Sequence, residues 1–85
     1  MTGNRVAKRN APTNRKEVAA ALGERIARLR KKRGWTREGL ANQCHLHPAS
    51  MARIESGKSS FTLNTLLLLT QALKTDIHKL IAGIA

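Results

Sequence analysis

Residues 36–58 read TREGLANQCHLHPASMARIESGK. Thr36 offers a side-chain oxygen to the first amides of a helix, and Glu38 faces that helix's positive end. A short helix is therefore predicted over about residues 37–44, with Leu40, Ala41 and Cys44 inward. Gly39 weakens it by about 1 kcal/mol relative to alanine, so packing must hold it in place. His45, Leu46 and His47 form a tight connection to Pro48, whose missing amide hydrogen costs nothing at the first position of the next helix. That helix is predicted to run to about Ser56 and to stop at Gly57. Met51 and Ile54 lie on its inner side, and Ala49, Ser50, Ala52 and Arg53 form its outer side.

Upstream, Val18, Leu22, Ile26 and Leu29 recur at spacings of four, four and three, the signature of one helical face. The predicted helix begins at Arg15, after a cap at Asn14, and ends near Arg33 with Gly34 as its left-handed stop. Arg25, Arg28, Lys31 and Lys32 occupy the opposite face. Downstream, GKSSF (residues 57–61) reads as a loop, and Thr62 caps a fourth helix to about Leu73 with Leu63, Leu66, Leu67 and Thr70 on one side. Asp76 caps a fifth, whose apolar residues are Ile77, Leu80, Ile81 and Ile84. Residues 1–13, polar and basic with Gly3 and Pro12, read as a flexible arm, leaving residues 14–85 as the folded domain.

Eighty-five residues are expected to make one domain at most, with no catalytic domain beside it. Trp35 and Phe61 are the only Trp, Tyr or Phe residues, which suits packed helices better than a sandwich or barrel. The formal charge is +11, and twelve of the sixteen Lys and Arg residues lie in residues 1–37, opposed there only by Glu17 and Glu24. Solubilising faces intersperse both signs, so this asymmetry points to a polyanionic partner. Scarce aromatic side chains argue against stacking on single strands. Cys44 has no second cysteine to pair with, no apolar leader opens the chain, and Leu66–Leu69 is far too short to span a bilayer. A cytoplasmic protein without membrane attachment is the expectation.

Two short helices joined by three residues, flanked by other helices and dense positive charge, describe a helix-turn-helix. From Leu22 to Leu80 the chain resembles the Cro and phage-repressor type of regulator. The resemblance is carried by Leu29, Arg30, Arg33 and Gly34, by the Leu40-Ala41 pair, and by RIESGK from Arg53 to Lys58 with the spaced leucines after it. It implies an all-α, five-helix, lambda-repressor-like domain that binds double-stranded DNA, with no catalysis and no cofactor. The base-reading positions it implies are His47, Pro48, Ala49, Ala52 and Arg53, with Ser50 an added contact. Arg53 is the strongest of them, since one guanidinium can bond guanine O6 and N7 together. Arg37, Ser56 and Lys58 fall beside phosphate, and Arg30 and Glu55 at positions that form an ion pair. The chain departs from the family's pattern at His45, where glycine is usual, and at His47-Pro48, where a Ser or Thr cap is common.

Cys44, His45 and His47 together suggest a metal site, but Cys44 falls at an inward position and no fourth ligand is evident, so none is expected. Leu68, Ile77, Leu80, Ile81 and Ile84 exceed what a five-helix core is expected to hide, which predicts a homodimer through the C-terminal region. The resulting expectation is a dimeric transcriptional regulator, with repression favoured, reading a pseudo-palindromic operator. An antitoxin or a restriction-modification controller of the same fold is the alternative, as is a module docking an acidic protein.

Overall fold

The computed structural model describes residues 14–84, which hold five helices and no strand. They are α1 (Arg15–Lys32), α2 (Arg37–Gln43), α3 (Pro48–Glu55), α4 (Leu63–Leu73) and α5 (Ile77–Ile81). The basic arm expected over residues 1–13, and Ala85, lie outside the described residues. α2 and α3 pack chiefly on each other, while α1 lies across α3 and also meets α5. Ile26, Leu40, Met51, Leu69, Leu73 and Leu80 are fully buried between them.

The helix starts follow from the expected caps. Side-chain oxygens of Asn14, Thr36, Thr62 and Asp76 accept from the backbone N–H groups of Glu17, Gly39, Thr65 and Lys79, at 2.8–3.1 Å. The first four helices all end in the same way. In each, a residue at the cap (α4) or just after it (α1–α3) takes positive φ and its N–H bonds three residues back, while the next N–H reaches five residues back: Gly34 and Trp35 after α1, His45 and Leu46 after α2, Gly57 and Lys58 after α3, Lys74 and Thr75 after α4. This is the Schellman closure, which glycine makes without strain. His45 (φ 57°) and Lys74 (φ 54°) adopt it as L-residues, against a steric cost of about 1–2 kcal/mol each.

Three features depart from the sequence reading. Arg25 does not point to solvent; its guanidinium donates to the carbonyls of Lys79, Leu80 and Ala82, holding the end of α5 against α1. Leu80 and Ile84 were expected at a dimer interface, yet Leu80 is fully buried and Ile84 is 8% exposed within the monomer. The reason is that α5 stops at Ile81, and the turn through Gly83 (φ 78°) folds Ile84 back onto the core. Among the described residues, the large apolar side chains left in solvent are Leu63, at 68% exposure, and Leu67, at 45%, one turn apart on α4.

Gly23 sets the distance between α1 and α3. A Cβ there would stand 2.3 Å from the Ile54 carbonyl oxygen and 2.8 Å from that of Glu55. Gly39 likewise makes room for the Trp35 ring, 3.0 Å from where a Cβ would be.

Two outcomes follow for stability, both measured by urea unfolding. Gly23→Ala, which in an exposed helix gains about 1 kcal/mol, is expected here to destabilise by about 1–3 kcal/mol because α3 must move away. Unchanged or higher stability would show that the two helices do not touch there. His45→Gly is expected to stabilise by about 0.5–1 kcal/mol, the relieved strain less the glycine's greater freedom in the unfolded chain; a loss of stability counts against the left-handed turn.

Candidate nucleic-acid interface

α3 is eight residues long, too short to be stable by itself. Met51 and Ile54 anchor its inner face in the core. Its outer face presents Pro48, Ala49, Ser50 and Arg53 exposed, with Ala52 half-buried between them and the exposed His47 at its start. The five positions that the resemblance offered for base reading, and Ser50 beside them, therefore share one accessible surface.

His47 fills the cap position in place of a Ser or Thr. Its Nδ1 accepts from the Ala49 N–H at 3.1 Å, so the capping ring is a neutral tautomer with its proton on Nε2. That N–H is the donor the ring has left to offer a ligand. Arg53 reaches over the end of its helix and donates from Nη2 to the Lys58 carbonyl at 3.1 Å, while the Lys58 N–H bonds the Arg53 carbonyl at 2.9 Å. The guanidinium stays exposed and keeps further N–H donors for an acceptor in solvent.

Glu55 holds the far end of α3. Its carboxylate receives Arg30 Nε at 2.6 Å and Arg30 Nη2 at 3.1 Å, and the two side chains are only 9% and 4% exposed. Arg30 Nη1 also donates to the Trp35 carbonyl at 3.0 Å. Arg37, the first residue of α2, donates from Nε to Glu55 Oε1 at 3.2 Å while its side chain stays 52% exposed. In a buried pair of this kind, removing one partner strands a charge and costs about 3–5 kcal/mol.

The three positions expected beside phosphate differ in what they can give. Lys58 is exposed, and Arg37 keeps about half of its side chain in solvent beside the Glu55 contact. Ser56 is weaker than the sequence suggested, because its hydroxyl donates to the Arg53 carbonyl at 3.1 Å and its N–H to the Ala52 carbonyl. Cys44 does not converge with His45 and His47: it is 1% exposed, its thiol faces the Leu68 carbonyl at 3.8 Å, and burial pushes its pKa up. Among the described residues no cluster of three or more His, Cys, Asp or Glu gathers, and no helix is long and apolar enough to cross a membrane.

Sequence reasoning found the outer face of α3 through spacing but missed Gly23 and the Arg37–Glu55 contact. Gly23 falls on the buried side of α1, four residues after Ala19 and three before Ile26, and a glycine there is the signal that another backbone comes close.

Comparison with known proteins agrees with this geometry. The helix-turn-helix domain family is matched over residues 21–80. No curated protein matches the chain. Among solved structures, the restriction-modification controller protein C.AhdI from Aeromonas hydrophila is similar at 27% identity and TM-score 0.71, covering 73% of this chain and 94% of its own. The clp gene regulator ClgR from C. glutamicum shares the fold at 21% identity and TM-score 0.74, over 80% and 92% of the two chains. The hypothetical transcription factor NHTF from Neisseria does so at 22% and 0.74, over 84% and 82%. With its α2–turn–α3 unit and exposed outer helix face, the chain belongs to the helix-turn-helix family of DNA-binding regulators.

Proposed function

We propose that this protein is a cytoplasmic, homodimeric transcriptional regulator, acting mainly as a repressor, whose α3 reads a pseudo-palindromic duplex through the major groove. The observation that carries the reading is the exposed Arg53 guanidinium on a helix whose opposite face is locked into the core. Ala49 and Ala52 add apolar contact, such as a thymine methyl accepts, and Ser50 and the His47 Nε2–H add polar contact. Lys58 and Arg37 grip phosphate on either side and carry no sequence information.

The dimer is supported by the Leu63–Leu67 face of α4, with Leu68, Ile77 and Ile81 half-buried and Leu80 and Ile84 already committed to the core. A two-fold axis there would present two copies of α3 to two half-sites. A narrower reading, control of a restriction-modification locus, draws on the likeness to C.AhdI. A selected binding site lying upstream of restriction and methyltransferase genes would bear it out, and one elsewhere would remove it.

Gel-shift titrations over a panel of single-base operator variants test the base contacts. Arg53→Ala is expected to lose about 1–3 kcal/mol of discrimination at one position of each half-site. Lys58→Ala is expected to weaken all sites alike and to flatten the salt dependence by about one unit. If Arg53→Ala keeps both affinity and preference, α3 does not read the site as proposed. Arg37→Ala is the poorer probe, because it also removes a partner of Glu55. Sedimentation tests the dimer: the parent is expected to be a dimer at micromolar concentration, and Leu63→Glu with Leu67→Glu a monomer. A monomeric parent counts against the two-fold reading.

A further inference from the structure

Arg15 and Lys16 open α1, ahead of residue 21 where the family match begins. They line one wall of an open groove of about 330 Å3, floored by Ala19, whose other wall is the loop over residues 57–60. That loop is fixed in place. The backbone of Gly57, at φ 77°, lies so close to Ala20 that a Cβ would stand 2.7 Å from its Cα, and Lys58 is bonded at both N–H and C=O to Arg53.

The charges in this groove are placed differently from those at the other end of α1. Lys32, Arg33 and Lys74 gather in a different cavity, at the carboxyl ends of α1 and α4, where cations offset the negative ends of the helices. Arg15 and Lys16 instead stand at the positive end of α1, where the dipole repels them, and share the groove with the cationic Lys58. Glu17 is the only carboxylate in that first turn. A polyanion lying along the groove relieves this repulsion, and the hydroxyls of Ser59 and Ser60 add neutral donors.

We infer that the groove seats the sugar–phosphate backbone of the bound duplex, with Arg15, Lys16 and Lys58 forming a clamp that extends the footprint beyond α2 and α3. The Arg53–Lys58 bond links the groove wall to the base-reading side chain, so a duplex held by Arg53 carries its backbone past Lys58. This inference rests on the duplex-binding reading above.

The test is the salt dependence of duplex affinity for the full chain, measured by fluorescence anisotropy on the selected operator and on an unrelated duplex. Arg15→Gln with Lys16→Gln is expected to flatten the slope of log K against log salt by about 1–2 units. It is expected to weaken both duplexes by about ten-fold at low salt, leaving their ratio unchanged. The same variant is expected to melt at or above the parent's temperature without DNA, since two charges are removed from the wrong end of a helix. Lys74→Gln with Lys79→Gln removes equal charge elsewhere and is expected to leave the slope near that of the parent. A slope unchanged by the first pair, or flattened equally by the second, overturns the clamp while leaving duplex binding intact. A parent that binds no duplex overturns the underlying reading instead.

Discussion

The Glu55 carboxylate ties three helices together at one point. It sits at the end of α3 and takes three donors, two from Arg30 on α1 and one from Arg37 at the start of α2. A hydrophobic replacement of similar volume is often no less stable than a buried ion pair. What such a replacement lacks is direction. The short α3 has two core side chains, Met51 and Ile54, to set its depth, and neither sets its rotation or tilt. Glu55 supplies that restraint at one end and the His47 cap at the other, with Gly23 fixing how near α1 approaches.

Most helix boundaries were legible because they rest on local chemistry. A Thr or Asp before an apolar period, or a glycine after a basic turn, states its role within four residues of chain, as Thr36, Thr62, Asp76, Gly34 and Gly57 do. The residues that were not legible act across space. The apolar period of α5 identified Ile77, Leu80, Ile81 and Ile84 as one set, but a period does not say whether the covering surface is α1 of the same chain or a second copy. The end of α4 at Leu73 followed from the apolar period, although the lysine in its left-handed turn carries no sequence signal of the kind glycine gives.

The outer face of α3 was readable from spacing together with the family resemblance. The hydrogen bonds already made by its side chains were not. Ser56 looks available in the sequence and has its donors occupied in the structure, whereas His47 looks like a poor start to a helix and provides the cap. Polar residues at such an interface divide between those that hold the scaffold and those left free, and only coordinates separate the two groups. Arg37 belongs to both, with its Nε on Glu55 and half of its side chain exposed.

The Arg25 contact bears on how the domain comes apart. α5 is barely more than one turn, so its backbone bonds have little persistence alone. With its last carbonyls held by a side chain from the middle of α1, and Leu80 buried beneath it, this C-terminal turn cannot loosen as an ordinary frayed end would. Its amides should exchange with solvent on the timescale of whole-domain opening, which makes α5 part of the same cooperative unit as α1.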